Sequence, residues 1–327
     1  GDDVTGGSAV RQNQPIRSRA KGKRLLQREP IDATSWAYMK MLREGSKTKR
    51  VYDVDPYAEV YRFRENMYGL LIESADGMGD VWMFLIIGPE KAMLIDTGFG
   101  IGNLKGLVDE ITGGLPLIVT NTHCHFDHAY GNCQFDRCYC HELEVEAMNR
   151  KQDSHIWDYL FDEQGNGIWM EFDREDIVPF KMYEVVGVPD GYTFDLGEGY
   201  EVELIWVPGH SAGHAMYLDK RNRNLIAGDG IISMRVGMSG GSPFTTVTAY
   251  RRELVKLSQR VHEFDHIFPG HFVVDLETSV VLSLIEACDA IIANPEDYDD
   301  CEERMGREML LKFVKGLGTI GYNRSNV

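Results

Sequence analysis

Thr122-His123-Cys124-His125-Phe126-Asp127-His128 follows directly on the apolar run Leu115–Thr120, and its reading decides the fold. Three histidines and an aspartate fall within six residues. Neutral imidazoles and carboxylates are the groups that borderline divalent metals bind. So many ionisable groups crowded at a strand end need partners or a metal if they are to be buried. The His-x-His spacing puts two imidazoles on one side of a strand end or tight loop. Asp127-His128, a turn further on, faces a second point nearby, so one short segment can serve two metals.

Further ligand types sit at the ends of other apolar runs. Pro208-Gly209-His210 follows Glu201–Val207, Gly228-Asp229 follows Asn224–Ala227, and Pro269-Gly270-His271 follows His266–Phe268. Each lies beside a glycine, where backbone can turn sharply and approach closely. Singly these are weak signals. Together they put His210, Asp229 and His271 on strand-end loops able to converge with the first cluster.

With Asp96-Thr97-Gly98 placed before it, this order resembles the metallo-β-lactamase superfamily over roughly residues 67–275. The resemblance implies an α/β fold, a four-layer αββα sandwich with a metal centre at one edge. It implies that His123, His125 and His210 hold one metal, that Asp127, His128 and His271 hold a second, and that Asp229 bridges them. Asp96 would orient a ligand imidazole, as such sites require. His214 would support the site without ligating. The implied cofactors are two divalent ions per chain, zinc first, with iron or manganese as alternatives for a His/Asp donor set. Asp229 with the full Asp127-His128 pair is similar to the glyoxalase II, lactonase and phosphodiesterase-like members, whereas true zinc β-lactamases tend to carry Cys at the bridging position.

The 327 residues are 43% hydrophobic and 26% charged, ordinary for a globular chain with a substantial core. The expected architecture is a basic N-terminal extension over 1–50, then a catalytic domain over 51–327 with a helical insertion at about 142–192 and a helical C-terminus. Within it, Met67–Ser74 and Val81–Ile87 read as a hairpin around Asp76-Gly77-Met78-Gly79. Ala92–Ile95, a helix over Asn103–Ile111 and Leu115–Thr120 read as strand, helix, strand. A helix is expected over 32–44, another over 246–261, and residues 228–244 as a loop.

The charge is unevenly spread. Residues 1–50 hold twelve Lys/Arg against five Asp/Glu, while the whole chain carries −17. An acidic body is a poor match for phosphate backbones, so neither nucleic acid nor membrane is an expected partner. The basic arm is read as a solvated extension that partly neutralises the acidic body, or as a contact in a homo-oligomer. No run of about 18 apolar residues signals a transmembrane helix. Six cysteines in a chain with a real core suit reduced thiols and a cytoplasmic setting. Cys133, Cys138 and Cys140 lack finger spacing and read as packing groups. The start, Gly1-Asp2-Asp3, reads as a processed or tagged end.

These features lead to one expectation: a dinuclear metallohydrolase cleaving an ester-type bond (lactone, thioester or carboxylic ester) of a small, partly apolar substrate. A hydroxide shared by two ions would be the nucleophile, and Asp127 the catalytic proton carrier. A phosphodiesterase or nuclease of the same fold, or a mononuclear iron redox enzyme, are the competing readings. Met78, Trp82, Tyr183, Met234 and Phe244 are the expected substrate contacts, from loops around the metal edge.

Overall fold

A computed structural model describes residues 41–304 and 306–327. The chain forms two compact units. One comprises residues through Tyr139 with Glu146–Val186 and Leu196–Gly199; the other comprises Cys140–Val145, Gly187–Asp195 and Tyr200–Val327.

The first unit is built on an eight-stranded sheet whose strands lie in chain order, β1 to β8. β1 (Arg50–Tyr52), β2 (Asp55–Arg64), β3 (Met67–Ile72), β4 (Val81–Ile87) and β5 (Ala92–Ile95) are antiparallel neighbours. β5 then pairs in parallel with β6 (Leu117–Thr120), and β6 with β7 (Arg137–His141). The expected hairpin is β3–β4, and both strands are almost wholly buried. Such continuous apolar runs fit strands covered on both faces. Gly69 in β3 gives room to an aromatic ring: a Cβ there would lie 2.2 Å from Phe63. Phe63, Tyr61 and Phe84 surround Trp82 with centroids 5.4–6.1 Å away. Trp82 is therefore a core residue of β4, 4% exposed, which corrects its expected place on a substrate wall.

Between β5 and β6 runs α1 (Leu104–Thr112). Asn103 caps it by accepting from the Gly106 amide at 3.0 Å. Gly113, at φ 70°, ends it in the left-handed conformation that favours glycine. Leu104, Leu107 and Val108 form its buried stripe.

The end of the basic extension is tied to this unit. Residues 41–44 are helical, and the rest of the helix expected over 32–44 lies outside the described residues. Arg43 donates to Glu59 Oε1 at 3.1 Å and to Asp80 Oδ2 at 3.3 Å. Burial alone would push the Glu59 carboxyl up, but the charge of Arg43 and the Tyr61 hydroxyl hold it below its usual range.

The second unit holds a five-stranded sheet in the order β14 (His266–Pro269), β12 (Asn224–Gly228), β11 (Ala215–Asp219), β10 (Glu201–Trp206), β9 (Thr193–Asp195). A four-stranded sheet runs β13 (Met234–Gly237), β17 (Gly318–Tyr322), β16 (Arg307–Val314), β15 (Asp300–Arg304). Helices α4 (Val247–Ser258) and α5 (Val280–Ala293) share a core with these strands. Leu218, Leu225, Leu254, Ile267, Leu284 and Ile320 are each at most 1% exposed, and burying one such side chain stabilises by about 1.5–3 kcal/mol.

The C-terminus corrects the sequence reading. A helical tail was expected, yet after α5 the chain forms β15, β16 and β17. Glu, Arg, Met, Leu and Lys there favour helix intrinsically. Turns at Gly306 and Gly316, the pairing of β15 with β16 and that of β16 with β17 override that preference. The insertion is also less helical than expected: beyond α3 (Val145–Arg150) its helical elements are 3₁₀ turns at Glu142–Glu144, Asp158–Leu160 and Arg174–Asp176. Strands β1, β2, β8 (Glu184–Val188), β9 and β13 were not anticipated.

His141, at the end of β7, stacks on Trp206 with centroids 5.3 Å apart and accepts from the Leu143 amide. Burial holds its pKa below 6.5, outweighing the pull of Glu142. The unfolded chain then binds this proton more tightly than the folded one. The stability this group contributes is present above pH 6.5 and is lost progressively as pH falls through the lower folded value. His141→Gln should flatten the acid limb of a melting-temperature profile below pH 6.5, and an unchanged slope would count against this burial effect.

Candidate metal centre

In the first unit, β6 delivers Asn121 and Thr122 to a short extended stretch, and a single helical turn follows, α2 (Phe126–Ala129). His123 and His125 lie before the turn, Asp127 and His128 within it. The His123 ring is 4.6 Å from that of His125 and 4.3 Å from that of His128. His128 Nε2 lies 3.5 Å from Asp127 Oδ2. His123 and His128 are fully buried, Asp127 nearly so, and His125 half-buried.

Asp96 organises this cluster from the end of β5. Its carboxylate accepts from the Thr122 amide, the Thr122 hydroxyl and His128 Nδ1, each at 2.8 Å. Because the Thr122 proton goes to Asp96, the contact of 2.9 Å between Thr122 Oγ1 and His123 Nδ1 has the ring nitrogen as donor. Both His123 and His128 are thus held as Nδ1–H tautomers, in which Nε2 is the nitrogen that could bind a metal. Asp96 has φ 69°, an unusual backbone state for a residue with a side chain. The Thr97 amide bonds to His128 O at 2.9 Å, and the Thr97 hydroxyl donates to Asn132 Oδ1 at 2.7 Å. Gly131 allows this close approach, since a Cβ there would lie 2.0 Å from the Thr97 carbonyl oxygen.

In the second unit, His210 follows β10, Asp229 follows β12 and His271 follows β14. His210 Nδ1 donates to Gly237 O at 2.7 Å, which points Nε2 at Asp229 Oδ2, 3.2 Å away. His271 Nε2 lies 3.3 Å from the other oxygen, Asp229 Oδ1. One carboxylate therefore presents its two oxygens to two different imidazoles. His214 Nδ1 donates to Val207 O, and His214 Nε2 accepts from the Asp229 amide at 3.1 Å. Both nitrogens of His214 are spent on backbone, so it fixes the Asp229 turn and cannot ligate through them.

These donors suit a divalent ion. Two ligands at 2.0–2.1 Å around a tetrahedral ion stand about 3.3 Å apart. The imidazole–carboxylate distances of 3.2, 3.3 and 3.5 Å match that edge. Without an ion, a carboxylate facing Nε2 would need that nitrogen protonated as well, making the ring an imidazolium, because Nδ1 already donates to Asp96 or to Gly237. The donor set is imidazole and carboxylate with no thiolate: Cys124, Cys133, Cys138 and Cys140 are buried, and none belongs to a cluster of ligand-type side chains among the described residues.

Of the residues expected around the substrate, Met78 and Met234 are half-buried, Tyr183 is buried and Phe244 is half-buried against Trp206. Met234 opens β13 at φ 70°. Sequence reasoning missed Thr122, whose hydroxyl sits between Asp96 and His123, and the carbonyls of Gly237 and Val207. A threonine before the first histidine was a usable signal. Backbone carbonyls carry none.

The comparisons agree with this geometry. The chain belongs to the metallo-beta-lactamase superfamily, whose sequence pattern matches residues 76–298. Among curated relatives it is 27% identical over 212 residues to the human acyl-coenzyme A thioesterase MBLAC2, covering 59% of this chain and 72% of that protein. It is 28% identical over 201 residues to the probable metallo-hydrolase MJ0888 of Methanocaldococcus jannaschii, covering 58% of this chain and 85% of that one. Solved structures share the fold: a metallo-beta-lactamase from Pontibacter korlensis superposes with TM-score 0.53 at 16% identity, covering 71% of this chain and 99% of that one. The DIM-1 metallo-beta-lactamase does so with TM-score 0.52 at 16% identity, covering 72% and 99%. No helix among the described residues is long and apolar enough to cross a membrane.

Proposed function

We propose that this chain is a dinuclear metal-dependent hydrolase of ester-type bonds, with thioesters favoured over lactones and simple carboxylic esters. The observation that carries the reading is Asp229, whose two oxygens face His210 and His271 at 3.2 and 3.3 Å, the disposition of a bridging carboxylate. Family membership and the order of ligands along the chain support assigning His123, His125 and His210 to one ion. They assign Asp127, His128 and His271 to the other. The thioester preference takes its support from the human relative, an acyl-coenzyme A thioesterase by name.

When bound, such ions supply an activated water and polarise the scissile carbonyl. The chain's own groups do the rest. Asp96, Thr122 and Gly237 hold the imidazoles in one tautomer, so the donors need no reorganisation during turnover. Asp127 has one carboxylate face toward His128 and takes a proton from the attacking water, then delivers it to the leaving thiolate or alkoxide. No serine or cysteine nucleophile is required.

A panel of acyl thioesters, lactones and phosphodiesters, assayed with metal content measured on the same sample, tests this reading. Thioester turnover that disappears on chelation and returns with added zinc or manganese is the expected result. Turnover of phosphodiesters alone, or one redox-active iron per chain with no hydrolysis, would overturn it.

A further inference from the structure

Phe126 stands between the candidate ligands His125 and Asp127, and its ring is only half-buried. From it a row of aromatic rings leads into the insertion. Tyr159 meets Phe126 edge-on with centroids 5.9 Å apart, and Trp169 meets Tyr159 at 6.2 Å. Tyr159 is 38% exposed, so an aromatic surface begins beside the ligands and stays open to solvent.

The polar end of Tyr159 is turned away from that surface. Its hydroxyl donates to Asp76 Oδ2 at 3.2 Å. Asp76 is itself 5% exposed, and its other oxygen accepts from the Ser74 hydroxyl and the Met78 amide. Trp169 is seated over Gly77 at φ 76°, where an added Cβ would come within 3.3 Å of Cδ1. The β3–β4 turn thus grips both rings of the insertion, one by a hydrogen bond and one by contact. A hydroxyl so anchored leaves the ring to present carbon, and rings held in fixed rotamers bind apolar groups at low entropic cost.

We infer that Phe126, Tyr159 and Trp169 form the wall that takes the apolar acyl part of the substrate, with Asp76 and Gly77 as the residues that position it. This rests on the ester-type hydrolase reading and narrows it to substrates with an extended apolar acyl group. The occupant follows from continuity: a carbonyl presented at the ligands of α2 leaves its acyl chain beside Phe126.

The test compares full-length wild type, Tyr159→Ala, Trp169→Ala and Tyr159→Phe on acetyl and dodecanoyl thioesters of one common thiol. The ratio of dodecanoyl to acetyl kcat/KM should fall about tenfold or more in both alanine variants, mainly through KM, as burial of a large ring predicts. Tyr159→Phe, which keeps the ring but loses the bond to Asp76, should lose part of that ratio and less than Tyr159→Ala. Equal losses on both substrates, or no change in the ratio, would overturn the assignment. Calorimetric binding of a non-hydrolysable dodecyl thioether, with and without added metal, separates this inference from the activity. If wild type hydrolyses no ester, the hydrolase reading fails. Thioether binding that is lost in Tyr159→Ala still supports the wall, and binding equal in variant and wild type refutes it.

Discussion

Asp229→Ala should lower ester turnover by at least about a hundredfold and lose metal on dialysis, with little change in the fold. The magnitude is a lower bound. Removing groups that merely orient metal ligands already costs 10–100-fold in affinity or activity, and Asp229 is placed to ligate directly. Its side chain stands 3.2 Å from His210 Nε2 and 3.3 Å from His271 Nε2. Its backbone amide, which the substitution keeps, still bonds to His214 Nε2 at 3.1 Å and so still holds the turn after β12. The variant separates ligation from architecture for that reason. Unchanged turnover and metal content would refute the bridging assignment. Asp229→Asn retains the shape but lowers the charge, and should fall between the two.

Asp96→Ala should do more than weaken the metal. Three donors converge on this carboxylate: the Thr122 amide, the Thr122 hydroxyl and His128 Nδ1. Asp96 is 2% exposed. Leaving a buried donor unsatisfied costs about 1–3 kcal/mol each, so unfolding free energy should drop by several kcal/mol where water cannot enter. Metal affinity should fall about 10–100-fold, because His128 loses the partner that sets its tautomer. In Asp96→Gly, unlike Asp96→Ala, part of the stability loss should be returned by relief at φ 69°, a state that costs a residue with a Cβ on the order of 1–3 kcal/mol. Asp96→Gly should then be more stable than Asp96→Ala while binding metal equally poorly. Equal stability of the two would show that the backbone there carries no strain.

Much of this architecture was legible before any coordinates. β3, β4 and β5 are dense apolar runs bounded by Gly and Asp, and α1 is framed by Asn103 and Gly113, residues whose capping chemistry is local. Ligand-type residues stand out because histidine and aspartate beside Gly at the end of an apolar strand have few other reasons to be there. The four histidine and aspartate residues of 123–128 do share one small volume, and Asp229 does lie between His210 and His271. The C-terminal strands were illegible for an equally physical reason. β15 and β16 are written largely in good helix formers, and what makes them strands is their pairing with each other and the pairing of β16 with β17, itself paired with β13 some 80 residues earlier. Trp82 misled because aromatic residues near a turn look like a rim, whereas its partners Tyr61 and Phe63 come from a strand that the sequence reading had not recognised.

The direct test of the central claim is elemental analysis of the purified chain alongside thioester turnover on the same sample. Two divalent ions per chain in the wild type, with activity that tracks their removal and return, is the predicted result. A single redox-active iron per chain, or turnover that persists after complete removal of metal, would contradict it.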